Sequence, residues 1–261
     1  MLEIKDHGPV RELRLARAPV NALNRALLEA LAAAIDEAMA SHSSTPPRAL
    51  VLSGAPGMFS AGLDVREVVA AEASVQALVT AFFAVQERIA RASIPVVAAI
   101  TGHSPAGGAV LALVCDHRIM AEGPYRIGLN EVEVGLYPGE TVYRLFARLV
   151  GVSRAASLLP RGAMLDPTSA REAGLIDEIA PLEHVVPRAL ELASALTALP
   201  PQAYARTRAL VRADLVALFD SPPERPETML ASGWVTDETR ARMAALLGVS
   251  AQGRSQGRSK T

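Results

Sequence analysis

The chain contains 261 residues, half of them hydrophobic and a fifth charged, which predicts a globular protein with a sizeable core and excludes a disordered chain. A formal net charge of −1 gives no indication of a nucleic-acid or anionic-membrane partner. The single cysteine, Cys115, excludes an internal disulfide and a cysteine-based zinc site. No apolar signal segment or membrane-spanning run is present, so we expect a cytoplasmic protein. The sequence also implies no bound metal.

Strands and helices alternate along most of the chain. Alternating apolar residues predict a β-hairpin over residues 2–16, with its turn at His7–Pro9. Asn24 is predicted to cap the first helix. The further predicted strands are Arg48–Ser53, Ile94–Ile100, Asp116–Ala121, Tyr125–Gly128 and Leu175–Ile179. The further predicted helices are Val65–Ala92, Gly107–Val114, Thr141–Val150, Arg154–Leu159 and the short helix that Asp166 caps, and Thr101–Ala106 is predicted to be a loop.

The C-terminal part of the sequence differs from the rest. From Leu182 onward every periodic segment is helical, and Leu199-Pro200-Pro201 interrupts the pattern. We therefore predict an α/β core over residues 1–198 and a helical region over residues 199–261. The basic, polar tail Gly253–Thr261 is interpreted as a frayed terminus.

Two glycine-rich loops, Phe59–Asp64 and Gly102–Gly108, each follow a strand and precede a helix. Small residues let a ligand approach the backbone, and free amides at a helix start favour negative charge. If both loops face one point, their amides form an oxyanion hole; the alternative is that both are ordinary tight turns. Neither loop has the spacing of a phosphate-binding glycine loop.

The second loop also has the GxSxG spacing of a serine nucleophile elbow, with Ser104 as the nucleophile and Asp177 and His184 as partners in the right order. In that motif the residue after the serine donates its backbone N–H to the oxyanion. That residue is Pro105, which has no N–H, so this interpretation is disfavoured.

Two carboxylates, Glu131 and Glu133, lie in the mostly apolar segment Ile127–Gly135. Apolar surroundings raise the pKa of a carboxyl group and make it a stronger base. If this segment is a strand, both residues lie on the same face, so the spacing alone does not choose between them. Both are solvated loop residues in the alternative interpretation.

These segments together resemble the crotonase family, also called the enoyl-CoA hydratase/isomerase superfamily. The matching motifs, in order, are FSAGLD at Phe59–Asp64, ITGHSPAGG at Ile100–Gly108, CDHRIMAE at Cys115–Glu122, IGLNEVEVGLYPG at Ile127–Gly139 and AREAGLIDEIAP at Ala170–Pro181. The resemblance implies a spiral of ββα units with a C-terminal helical trimerisation region, assembled as a homotrimer or a dimer of trimers.

The resemblance also implies an acyl-CoA substrate and no separate cofactor, since coenzyme A is part of the substrate. The oxyanion donors fall on Leu63 and Gly107, and the catalytic carboxylate falls on Glu131 rather than Glu133. The implied substrate contacts are Ala61, Gly62, Leu63, Asp64, Gly107 and Gly108.

Hydratases of the family use a second glutamate, and Val110 occupies its position. An apolar side chain cannot orient or activate water. The resemblance therefore implies a Δ3,Δ2-enoyl-CoA isomerase with one proton-carrying glutamate. The alternatives are a hydratase or another reaction of this family, with a second polar group from Glu133, Glu140 or His103, and a non-catalytic acyl-CoA-binding homologue.

Overall fold

The computed structural model describes residues 1–40 and 46–248, so the predicted frayed tail Gly253–Thr261 lies outside the described residues. The strands are β1 (Leu2–His7), β2 (Val10–Leu15), β3 (Ala49–Ser53), β4 (Gly57–Met58), β5 (Val96–Ile100), β6 (Gly102–Pro105), β7 (His117–Ala121), β8 (Ile127–Gly128), β9 (Met164–Leu165) and β10 (Glu178–Ala180). Within the described ranges, no helix has both the length and the apolar character that crossing a membrane requires.

The helices are α1 (Arg25–Met39), α2 (Val65–Val68), α3 (Glu72–Arg91), α4 (Gly107–Leu113), α5 (Glu140–Val150), α6 (Val152–Leu158), α7 (Pro167–Ala173), α8 (Leu182–Thr197), α9 (Pro201–Val211), α10 (Ala213–Asp220), α11 (Pro226–Ala231) and α12 (Asp237–Leu246). Two short 3₁₀ helices cover Glu131–Val134 and Leu159–Arg161.

Two sheets of unequal size organise the chain. The larger has the order β1-β2-β3-β5-β7-β10, with an antiparallel hairpin at one edge and parallel pairing elsewhere. The smaller has the order β4-β6-β8-β9. The pairs β3–β4, β5–β6 and β7–β8 each give one strand to each sheet and are followed by helix, so the chain repeats a ββα unit three times. This is the spiral that the resemblance implies, although no repeat is legible in the sequence.

Burial explains why the central strands read as continuous apolar runs. Every residue of β3 and β5 is buried, because side chains of α1, α3 and α4 pack against one face of the large sheet and α8 packs against the other. α8 packs on one face, against β3, β5 and β7. All seven residues of α4 are buried too, which only small and aliphatic side chains allow.

Several predicted boundaries differ from the structure. The predicted loop Thr101–Ala106 contains β6, because this short segment pairs with β4 and β8. The predicted helix Val65–Ala92 is two helices, since the chain breaks between Val68 and Glu72. Leu175 and Ile176 are buried, but the last strand begins only at Glu178.

The segment with Glu131 and Glu133 is a 3₁₀ helix and not a strand, so the prediction that both side chains lie on one strand face is wrong. Residues three apart, not two, lie above one another in a 3₁₀ helix. The two carboxylates consequently point into different environments. The division of the chain after residue 198 stays a prediction.

A buried charge cluster joins the C-terminal helices to the core. Arg208 and Arg212 both bond to Asp116, at 3.0 and 2.8 Å, and all three side chains are largely buried. Arg208 also donates to carbonyls at the end of α3, and Arg212 donates to the carbonyls of Val114 and Cys115 after α4. Two arginines thus satisfy carbonyl groups that helix ends leave without partners.

Asp116→Ala should lower the free energy of unfolding by about 3–5 kcal/mol, because it leaves two buried guanidinium groups without their anion. Urea denaturation of the purified variant measures this change. The matched control is Asp36→Ala, which breaks the exposed Asp36–Arg88 pair and should cost less than about 1 kcal/mol. Equal losses for the two variants would contradict a structural role for the buried cluster.

Candidate active site

The two glycine-rich loops lie side by side because the strands that carry them pair. β4 and β6 are parallel neighbours, with Met58 opposite His103, and Phe59 N donates to His103 O at 3.0 Å. Asn21 holds the start of the first loop, because its side-chain amide donates to the carbonyls of Met58 and Phe59. These bonds therefore hold the two glycine-rich loops next to each other, although the loops are far apart in the sequence.

The amide of Leu63 is left free by the way its loop is paired. Leu23 N donates to Gly62 O, and Asp64 N donates to Leu23 O. Successive backbone amides of extended chain point in opposite directions, so the intervening Leu63 N–H faces away from Leu23. Gly62 has φ +87°, a conformation that glycine adopts without strain.

The amide of Gly107 is free because it opens α4. Ala106, the residue before it, has φ +46°, which is strained for a side chain other than glycine. That turn lets Ala106 N donate to Gly128 O at 2.8 Å while α4 starts at the next residue.

The two free amides flank one small space. A β-carbon placed on Gly107 would lie 3.2 Å from Leu63 N, and one placed on Gly62 would lie 3.1 Å from Gly107 N. Within the described residues neither amide donates to another group. Two converging donors of this kind can bind an oxygen that gains negative charge. The two amides are near each other, as an oxyanion hole requires, and the convergence of the Leu63 and Gly107 N–H groups on one oxygen stays a prediction.

A mostly apolar cavity of about 890 Å³, counting its open mouth, lies beside these amides. Its walls come from the two loops, from α2, α3 and α4, from the segment after Asn130 and from the C-terminal helices. Among the described lining residues, Glu131 is the one ionisable side chain. The residues that the two loops, α4 and the 3₁₀ helix contribute to the lining include Ala61, Leu63, Ala106, Gly107, Val110 and Glu131.

Glu131 enters this cavity from the first turn of its 3₁₀ helix. Its Oε2 atom is buried and has no hydrogen-bond partner within the described part of the chain. Burial raises the pKa of Glu131 to about 7. A carboxyl group in this state can exchange a proton near neutral pH.

The candidates for a second polar group lie elsewhere. Glu133 is exposed and accepts a hydrogen bond from Asn130, and Glu140 is exposed and pairs with Arg144. His103 accepts from Arg126 N at 3.2 Å and packs edge-on against Tyr125. None of these three side chains is among the residues that line the cavity, whereas the apolar Val110 is.

The other predicted substrate contacts divide into one residue that lines the cavity and three that do not. Ala61 lines the cavity, but Gly62, Asp64 and Gly108 do not. Asp64 caps α2 and pairs with Arg17 at 2.6 Å. A β-carbon on Gly108 would lie 2.4 Å from Ser60 O, so this glycine permits close packing of the two loops. Contact between these three residues and a substrate stays a prediction.

The serine-elbow alternative receives no support from the geometry. Ser104 is fully buried, and Asp177 is engaged by Arg118, which donates to it from both backbone and side chain. A nucleophile must be reachable by its substrate. The described residues also contain no group of three or more histidine, cysteine or acidic side chains that could hold a metal ion.

Sequence reasoning missed the cavity residues of the C-terminal helices. Met229, Trp234, Met243 and Leu246 all line the cavity, although they lie about a hundred residues after Glu131. Nothing in an amphipathic helical pattern distinguishes a residue that faces a cavity from one that faces the core. Trp234, as the single tryptophan of a chain poor in aromatic residues, was the available signal.

A family model described as enoyl-CoA hydratase/isomerase matches residues 6–223. Human mitochondrial enoyl-CoA delta isomerase 1 is 33% identical over 208 residues, which are 78% of this chain and 67% of the relative. A probable enoyl-CoA hydratase of Rhizobium meliloti is 27% identical over 247 residues, 94% of each chain.

A solved structure has the same fold as this chain. The crystal structure of human mitochondrial delta3-delta2-enoyl-CoA isomerase has a TM-score of 0.84 and 26% identity, covering 95% of this chain and 96% of that one. The ββα spiral and the site together therefore define an enzyme with the crotonase fold. The chain belongs to the enoyl-CoA hydratase/isomerase family, and its resemblance to the isomerase subgroup is confirmed.

Glu131→Gln should stabilise the protein above pH 7. Burial raises the pKa of Glu131 from its ordinary 4.5 to about 7, so between these values the folded chain holds a proton that the unfolded chain lacks. The free energy of unfolding of the wild type therefore falls as pH rises through this range and stays lowered above it. The glutamine variant avoids this loss, which is on the order of 3 kcal/mol.

Urea denaturation at pH 5 and at pH 8 measures the effect. The matched control is Glu133→Gln, which removes an exposed carboxylate outside the cavity and should change stability by less than about 0.5 kcal/mol at either pH. If the Glu131 variant is no more stable than the wild type at pH 8, its carboxylate is not buried without compensation.

Proposed function

We propose that the chain is a Δ3,Δ2-enoyl-CoA isomerase that moves one proton with Glu131. The observation that carries this proposal is the polarity of the cavity: Glu131 is the one ionisable side chain among its described lining residues, and Val110 lines it as well. A single carboxyl group can remove and return a proton. Adding water needs a second group that exchanges a proton with it, and the amide side chain of Asn130, which also lines the cavity, does not do so.

The reaction follows from the placement of three groups. The Glu131 carboxylate removes a proton from C2 of a 3-enoyl-CoA, and the electron pair moves toward the thioester oxygen to form a dienolate. The amides of Leu63 and Gly107 stabilise this oxygen as its charge grows, so they favour the transition state over the ground state. Protonated Glu131 then returns the proton to C4, which leaves the double bond between C2 and C3.

The pKa of Glu131 suits both halves of this cycle. With a pKa of about 7, the group is ionised often enough to accept a proton and is a strong enough acid to return it. The proposed reaction needs no cofactor, because coenzyme A is carried by the substrate. Similarity to the human enoyl-CoA delta isomerase 1 supports the same choice of reaction.

The proposed assembly is a homotrimer or a dimer of trimers, and the proposed location is the cytoplasm. Leu199, Leu210 and Val211 are exposed apolar side chains of the C-terminal region, which a contact between subunits would remove from water. Neither nucleic acid nor a membrane is expected as a partner.

Purified protein should convert 3-enoyl-CoA to 2-enoyl-CoA rapidly and should not hydrate 2-enoyl-CoA at a comparable rate. Glu131→Gln removes the proton carrier with little change in volume, so it should lower kcat by about 10²–10⁴-fold and still bind acyl-CoA. Chromatographic separation of the two enoyl isomers and the 3-hydroxy product measures both reactions.

Glu133→Gln is the matched control, since it removes an exposed carboxylate two residues away and should keep the wild-type rate. Rapid formation of 3-hydroxyacyl-CoA by the wild type would instead favour a hydratase. Binding of acyl-CoA without turnover of either enoyl substrate would favour a non-catalytic homologue.

Gly107→Ala should lower kcat/KM for isomerisation by about 10²–10³-fold, because the new methyl group would occupy the space 3.2 Å from Leu63 N. It would also lie 3.3 Å from the Phe82 ring, so unfolding by urea must be measured alongside. Ala109→Gly, a change of one methyl group two residues later in the same helix, controls for altered packing of α4. An active, folded Gly107→Ala variant would contradict the oxyanion hole.

A further inference from the structure

One wall of the cavity is built by a single C-terminal segment, residues 224–246, which we call the C-terminal wall. It contributes Met229, Trp234, Met243 and Leu246 to the lining. These side chains carry no ionisable group, and the one polar atom among them, Trp234 Nε1, donates to Tyr137 O at 2.7 Å. The C-terminal wall therefore presents an apolar surface to whatever fills the cavity.

The C-terminal wall is fixed to the core near both of its ends. Tyr137 Oη donates to Glu224 at 2.7 Å, and Trp234 Nε1 donates back to the carbonyl of the same tyrosine. Thr239 donates to Gly135 O at 2.7 Å, and Arg240 donates to Val69 O at 2.6 Å. These bonds join the segment to the chain just after Glu131 and to the break between α2 and α3.

Trp234 is the one cavity-lining side chain of the C-terminal wall that makes a hydrogen bond within the described residues. It is almost completely buried, and its ring is oriented by the bond to Tyr137 O. A large, rigid side chain in a lining position sets a boundary, whereas flexible methionines such as Met229 and Met243 adapt their shape to a neighbour. The indole ring is therefore the rigid part of this wall, and the two methionines are its adaptable part.

We infer that Trp234 is a specificity-determining residue that limits the length of the acyl chain, with Met229 and Met243 forming the adjustable surface beside it. This inference rests on the proposed function, because it takes the ligand to be an acyl-CoA. The phosphates, amides and thioester of such a ligand are polar. Its acyl chain is the part that matches a wall without ionisable groups.

Trp234 is the single tryptophan of the chain, so its fluorescence reports contact at this wall directly and needs no catalysis. Wild-type protein is titrated with coenzyme A alone and with saturated acyl-CoAs from butyryl- to hexadecanoyl-CoA. Coenzyme A should leave the tryptophan emission unchanged. Acyl-CoAs should change it from a defined chain length onward, and isothermal titration calorimetry measures binding independently.

Substitutions test whether Trp234 limits the length of acyl chain that the cavity accepts. Trp234→Ala should raise the ratio of kcat/KM for dodecenoyl-CoA over hexenoyl-CoA by at least about tenfold, since each methylene newly accommodated contributes roughly fourfold. Met229→Ala should shift the ratio in the same direction by less. Leu230→Ala is the matched control: it changes the next residue of the same helix, which does not line the cavity, and should leave the ratio unchanged.

The outcomes separate the inference from the proposed function. If acyl-CoAs bind by calorimetry without changing the emission at any length, or if Trp234→Ala and Met229→Ala both isomerise with the wild-type ratio, the inference is wrong and the function stands. If the wild type neither binds nor isomerises an acyl-CoA of any length, the function itself fails. Should Trp234→Ala not fold, the wild-type fluorescence and Met229→Ala still decide.

Discussion

The parallel pairing of β4 with β6 is the constraint on which the site depends. Each strand is very short, yet their pairing sets the loop after Met58 against the loop after His103. From that contact follow the free amides of Leu63 and Gly107, which lie on either side of one small space. The ββα repeat supplies this pairing, because successive units each add a strand to the smaller sheet beside the previous one.

The site also concentrates unfavourable features that the surrounding fold must offset. Ala106 has a positive φ, and the buried Oε2 atom of Glu131 has no hydrogen-bond partner among the described residues. Either feature costs stability in an isolated segment. They persist because rigid parts hold them: Ala106 N is bonded to Gly128 O, and the 3₁₀ helix of Glu131 is followed by a chain that Thr239 and Trp234 fix in place.

The sequence predicted the features that local rules decide. The hairpin turn at His7–Pro9, the cap at Asn24 and the helix between Asp166 and Gly174 all depend on residues within a few positions, and the structure has each of them. The buried strands β3 and β5 were legible because burial on both faces demands apolar runs. The order of five motifs carried the rest of the fold, through resemblance rather than through periodicity.

What the sequence left open depends on contacts between distant segments. Strand parity grouped Glu131 with Glu133, and the resemblance chose Glu131; the 3₁₀ geometry gives the physical difference, a cavity carboxylate against an exposed one. β6 was missed because a four-residue strand with a glycine and a proline has no period to detect. The cavity residues of the C-terminal wall could not be predicted either, because the residues they face come from a part of the chain about a hundred residues earlier.

Chemistry and specificity are thus supplied by different parts of one chain. The amides and Glu131 come from loops that follow the short strands, whose positions the sheets fix. The apolar wall comes from residues 224–246, which Trp234 and Thr239 bond to the chain that follows Glu131. The buried Asp116–Arg208–Arg212 cluster attaches α9 to carbonyls at the C-terminal ends of α3 and α4, and both of these helices also contribute to the cavity lining. The side chains of Met229 and Met243 make no such bond, so we expect their size to affect the position of Glu131 less than a change at Trp234 or Thr239 does.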